Sequence, residues 1–186
     1  MIKNIGIDLD GTVVDFSNKF TQYMGIHNGK FILNVDCQRY HEEYAKYEAS
    51  DLEECYDMDM YPGAEDLIDD LCEKYNIYFI TKRGHGRAEP LKSKIEKLTM
   101  DWRLDYFPYT KDVFFADDKE KYAIEGTIDL MIEDDVHNAN KIALHCPVLL
   151  MSRSWNRGVE LHENIRVVED WEEIRFIMEH MDKFHV

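Results

Sequence analysis

The sequence predicts an α/β protein built on an open, Rossmann-like parallel sheet with helices on both faces. Three observations carry this expectation. Short, nearly continuous apolar runs recur along the chain, as strands buried on both faces require. Stretches with helical spacing separate them, so strand and helix alternate in the manner of a parallel sheet. Acidic residues, a threonine and a lysine stand where the runs end, and ligands of open α/β sheets bind beyond the carboxyl ends of the strands.

The first run is "NIGIDL" at 4–9. From about residue 15 to 60 no buried strand follows. Phe16, Phe20, Tyr23 and Met24 keep helical spacing instead, and Tyr40, Tyr44 and Tyr47 repeat it, which predicts a small helical cap inserted above the sheet. Pro62 and Gly63 then open a helix with Ala64, Leu67, Ile68, Leu71, Cys72 and Tyr75 on one face. "NIYFIT" (76–81) is the second strand, and Leu91, Ile95, Leu98 and Trp102 mark the helix after Pro90. "DVFFA" (112–116), "IDLMI" (128–132) and "PVLLM" (147–151) are the third to fifth strands. A last helix carries Trp171, Ile174, Ile177, Met178 and Met181 on one stripe. A chain of 186 residues fits one domain spanning 1–186 with the insertion inside it.

The formal net charge of −16, from 38 acidic against 22 basic residues, repels polyanions and anionic membranes. A nucleic acid duplex and a membrane surface are therefore not expected partners; a small anion held by a cation in one pocket is. Cys37, Cys55, Cys72 and Cys146 show no metal-binding spacing, so reduced thiols are expected. The opening "MIKNIGIDLDGTVVDF" has no long apolar segment, from which a cytoplasmic location is expected. A homodimer is compatible with the sequence.

The chemistry gathers at four strand ends. "IDLDGT" (7–12) puts Asp8 and Asp10 one residue apart, where two carboxylates repel unless a cation joins them. Gly11 permits the sharp turn, and Thr12 is placed to cap the next helix. Thr81 ends the second strand, with a hydroxyl suited to phosphate oxygens. Lys119 follows the third and brings one positive charge, with Lys121 as the alternative. Glu133, Asp134 and Asp135 end the fourth. Hard carboxylate oxygens suit Mg²⁺, and the candidate metal-facing acids are Asp8, Asp10, Glu133 and Asp134.

With these motifs in order over residues 8–135, the chain resembles the haloacid dehalogenase-like (HAD) hydrolase superfamily. The resemblance implies Asp8 as the nucleophile that forms an aspartyl-phosphate and Asp10 as the acid, then base, of the two half-reactions. It implies Thr81 and Lys119 as stabilisers of phosphate and nucleophile, with Glu133 or Asp134 completing a Mg²⁺ shell beside Asp8. "YPGAEDLIDDL", "ITKR", "LMIEDDVHNANKIA" and "SWNRG" are further similar to the 5'(3')-deoxyribonucleotidases, which implies a nucleoside monophosphate substrate. A phosphatase of a sugar phosphate or of phosphoglycolate is the alternative, as is an idle relative that only binds a phosphorylated ligand. Two readings stand for several residues: Tyr40, Tyr44 and Tyr47 stack on a base or pack the insertion, Arg83 and His85 reach the substrate or line a polar loop, and Trp155, Asn156 and Arg157 serve the site or form a surface loop.

Overall fold

The computed structural model describes residues 2–23 and 37–180, and within the helices leaves aside the side chains of residues 21, 23 and 37–43. Met24 and Met181 lie outside the described residues, as do the side chains of Tyr23, Cys37 and Tyr40.

Apolar runs become the strands β1 (Asn4–Ile7), β2 (Asn76–Thr81), β3 (Asp112–Phe115), β4 (Leu130–Glu133) and β5 (Val148–Met151). A sixth strand, β6 (Ile165–Val168), completes a sheet of order β3-β2-β1-β4-β5-β6 in which every pairing is parallel. This strand was not anticipated. It lies at the sheet edge with Arg166 and Val167 in its middle, so it lacks the continuous apolar run of a strand covered on both faces.

Helices cover both sides. On one face Ile5, Ile7, Phe79 and Ile132 pack with residues of α4 (Ala64–Cys72), α5 (Leu91–Tyr106) and α8 (Trp171–Glu179), among them Leu67, Ile68, Ile95 and Trp171. On the other, Ile80, Met131 and Leu150 meet α6 (Glu120–Ile124) and α7 (Val136–Ile142) through Ala123, Ala139 and Ile142. Side chains that alternate along each strand divide between the two layers, because successive residues of a strand point to opposite faces.

Between β1 and α4 the chain forms α1 (Phe16–Tyr23), α2 (Cys37–Ser50) and α3 (Leu52–Tyr56). The two ends of this stretch are tied together: the Asp15 amide donates to the Asp59 carbonyl at 2.8 Å and the Tyr61 amide to the Val13 carbonyl at 2.8 Å. Phe20, Tyr47, Cys55 and Tyr56 bury themselves against the first core layer. Thr12 does not cap α1. Residues 11–13 form a turn and Val14 bridges Met60, so the helix starts later and Asp15 takes the capping role, its Oδ1 accepting from the Asn18 amide at 3.0 Å.

The chain runs β1, β2, β3 in one direction across the sheet and then returns to place β4 beside β1. Loops leaving β1 and β4 therefore diverge and open a crevice at their carboxyl ends.

Candidate active site

Asp8 follows β1 directly and extends its ladder, its amide donating to the Ile132 carbonyl at 2.9 Å. The turn after it is close to Asp134: Gly11 has φ of 90°, and a Cβ there would lie 2.3 Å from Asp134 Oδ2. Only glycine meets both demands without strain.

Around Asp8 the structure gathers a buried ionic group. Lys119, 3% exposed, places Nζ 2.6 Å from Asp8 Oδ1 and 2.9 Å from Glu133 Oε2. Lys121 is exposed, with its ammonium 4.7 Å over the Tyr122 ring, so Lys119 is the lysine brought to the crevice. Carboxylate oxygens of Asp8, Glu133 and Asp134 all lie within 4.8 Å of one another. Asp134 is held by the Trp155 indole N–H at 2.9 Å and faces the Thr12 hydroxyl at 3.4 Å. Asn156 donates to the Asp134 carbonyl at 2.8 Å and to the Met151 carbonyl at 2.7 Å. Asp135 instead caps α7, accepting from the Asn138 amide at 2.8 Å, and is exposed.

Three acids against one lysine leave negative charge uncompensated. Burial, then the neighbouring Asp8 carboxylate, pushes Glu133 up to about 7 against the pull of Lys119. Burial followed by Asp8 and Glu133 holds Asp134 well above the usual carboxylate range. Burial alone would lower Lys119, but Asp8 and Glu133 outweigh it and its ammonium is held above the ordinary lysine value. Raised acids mark a place that favours added positive charge, and an all-oxygen donor set of this kind fits a hard divalent cation such as Mg²⁺.

Asp10 stands apart from that group. Its carboxylate turns to Arg83, whose Nη2 lies 2.6 Å from Oδ1 and whose Nε lies 2.9 Å from Oδ2. Thr81, 1% exposed at the end of β2, accepts from the Arg83 amide through Oγ1 at 3.2 Å. His85 pairs with Asp117, and Arg157 is exposed.

A cavity of about 350 Å³ opens over these groups, with Asp8, Asp10, Thr81, Lys119, Glu133 and Asp134 in its lining. Phe16, Tyr44, Tyr56 and Glu48 supply further walls from the insertion. Tyr44 meets Phe16 edge-on at 5.3 Å, whereas Tyr47 is buried and packs on Phe20. Glu48 was not singled out in the sequence. It is buried, accepts from the Tyr56 hydroxyl at 2.6 Å and pairs with Arg87. An acid four residues after Tyr44 on an aromatic helix face is the signal that could have found it, since such an acid needs a buried partner.

These strands and this cluster define the class of fold: that of the haloacid dehalogenase-like hydrolases. The structure aligns with a HAD-type hydrolase of Bacillus subtilis bound to magnesium at a TM-score of 0.63 and 15% identity, covering 95% of this chain and 98% of that one. A haloacid dehalogenase-like hydrolase of Streptococcus pneumoniae gives 0.61 and 14% over 95% and 98%. The L-2-haloacid dehalogenase of Xanthobacter autotrophicus gives 0.59 and 12% over 97% and 100%. No protein-family model and no curated protein matches the sequence. The likeness is one of fold, carried by topology at low identity.

Proposed function

We propose that this protein is a Mg²⁺-dependent phosphomonoesterase that works through an aspartyl-phosphate on Asp8 and acts on nucleoside 5'-monophosphates. The observation that carries the reading is the buried Asp8–Lys119–Glu133–Asp134 group at the floor of a cavity with aromatic walls. Attack by a carboxylate on an anionic phosphoryl group requires charge to be neutralised where the bond forms. A cation held by Asp8, Glu133 and Asp134 supplies that neutralisation. Lys119 adds a fixed positive charge at Asp8 Oδ1, and the Thr81 hydroxyl holds a phosphate oxygen.

In the first half-reaction an Asp8 oxygen bonds to phosphorus, the ester P–O bond breaks, and Asp10 gives its proton to the leaving oxygen. In the second, Asp10 takes a proton from water as that water's oxygen bonds to phosphorus, and the acyl phosphate releases phosphate and restores Asp8. Displacement of a halide would need no proton donor, so a second acid beside the nucleophile favours an oxygen leaving group. Phe16, Tyr44 and Tyr56 offer faces and edges to a base, and Glu48 and Arg87 offer polar contacts to its rim.

Phosphate release from nucleoside monophosphates, sugar phosphates and phosphoglycolate, with Mg²⁺ and with EDTA, tests the reading. Metal-dependent turnover favouring nucleotides is the expected result. Asp8→Asn is expected to abolish it while leaving the circular dichroism spectrum unchanged. Turnover of other esters alone would keep the chemistry and discard the substrate. No turnover of any ester would leave a phospho-ligand-binding relative as the reading.

A further inference from the structure

Arg83 is bound to Asp10 more closely than a loop residue needs to be. Its Nε contacts Oδ1 at 3.1 Å and Oδ2 at 2.9 Å, and its Nη2 reaches Oδ1 at 2.6 Å. Two guanidinium nitrogens meet the two carboxylate oxygens in a fork, so orientation as well as charge is fixed. Oδ1 accepts two of these bonds and Oδ2 one, which leaves Oδ2 the greater spare capacity to accept.

The arginine is itself immobilised. Its side chain is 2% exposed, against 28% for Asp10. The guanidinium carbon lies 4.9 Å from the Tyr56 ring centre and 5.9 Å from that of Trp102. Nη1 donates to Thr99 Oγ1 at 3.5 Å, and Nη2 stands 4.0 Å from Met58 Sδ. Tyr56 and Met58 belong to the stretch between β1 and α4, whereas Thr99 and Trp102 belong to α5. A partly exposed carboxylate in a turn is thus anchored to two separate parts of the fold through one buried side chain.

We propose that Arg83 is a positioning residue for the proton transfers of Asp10: it sets the plane and reach of that carboxylate and does not itself bind the transferred phosphate. This rests on the phosphatase reading above. Its consequence depends on the leaving group. An alkoxide must receive a proton as the ester bond breaks, whereas p-nitrophenolate leaves without one, so misplacing Asp10 slows the first half-reaction of alkyl esters selectively. The second, where Asp10 is the base, is common to both esters, and kcat/KM reports the first alone.

The test compares kcat and KM for p-nitrophenyl phosphate and for an alkyl phosphomonoester in the wild type, Arg83→Gln and Arg83→Lys. Arg83→Gln is expected to lower kcat/KM for the alkyl ester about tenfold or more, while kcat/KM for p-nitrophenyl phosphate changes by less than about threefold. Arg83→Lys keeps the charge, which protects the fold of a variant at this buried place, but loses the fork. It is expected to show the same selectivity at smaller amplitude. Equal losses of kcat/KM on the two esters, or a rise in KM alone, in a folded Arg83→Lys protein would overturn the proposal while leaving the phosphatase reading intact. A wild-type chain idle on both esters overturns that reading and the role of Arg83 with it.

Discussion

Glu133 brings a third negative charge to a space where Lys119 supplies one positive charge, and its carboxyl is held up at about 7. The direction of the resulting pH dependence follows from proton counting. A carboxyl whose native value lies above its ordinary 4.5 binds more protons folded than unfolded between those two values. The stability it contributes is full below about 4.5 and is lost as pH rises through about 7. A divalent cation on the same oxygens replaces the missing positive charge, and it competes with protons for them. Mg²⁺ is therefore expected to raise the melting temperature more at about pH 8 than at about pH 5. Glu133→Gln should shrink that difference. Melting curves in Mg²⁺ and EDTA at both pH values check it, and an equal gain at the two would remove Glu133 from the linkage. Asp8, Glu133 and Asp134 were legible in the sequence because each stands at the end of a buried strand or directly after it. The direction in which Asp10 points was not, since its partner Arg83 lies 73 positions away.

At the level of elements, α8 does more than cover the sheet. Trp171 is buried, and its indole N–H donates to the Thr12 carbonyl at 3.1 Å, inside the turn that follows Asp10. The C-terminal helix thereby braces the loop that carries both aspartates. Trp171→Ala is expected to cost about 3–5 kcal/mol from cavity formation. Trp171→Phe keeps most of the packing and should cost about 1 kcal/mol for the lost hydrogen bond. Urea unfolding of the two variants reads both, and equal losses would show that the hydrogen bond, which both variants lose, outweighs the packing, which only Trp171→Ala loses. The stripe of Trp171, Ile174, Ile177 and Met178 made this helix visible from spacing alone. Strand β6 was invisible by the same criterion, because an edge strand with one solvated face reads as polar. That Asp15 and not Thr12 caps α1 was hidden too, since the bridge between Val14 and Met60 depends on chain segments that spacing cannot pair.

For the whole molecule, a net charge of −16 opposes the approach of an anionic ester, while Lys82, bonded to the neutral Asn138 side chain at 2.9 Å, places local positive charge at the cavity. Raising monovalent salt from about 0.01 to about 0.15 M shortens the screening length from about 30 to about 8 Å. If long-range repulsion dominates, kcat/KM at fixed Mg²⁺ should rise over this range; a fall would show that the local charge of Lys82 governs the approach. The sequence by itself determined the parallel sheet, five of its six strands, and the acids and threonine at their ends. Buried strands must be apolar on both faces, and turn chemistry is local, so both leave a mark in neighbouring residues. Tertiary structure alone decided that Lys119 and not Lys121 enters the crevice, that Arg83 grips Asp10, that Trp155 and Asn156 hold Asp134, and that Glu48 meets Arg87 across the cavity. Each of these rests on a distance of a few ångströms between side chains far apart in the chain, and such distances exist only once the helices have packed.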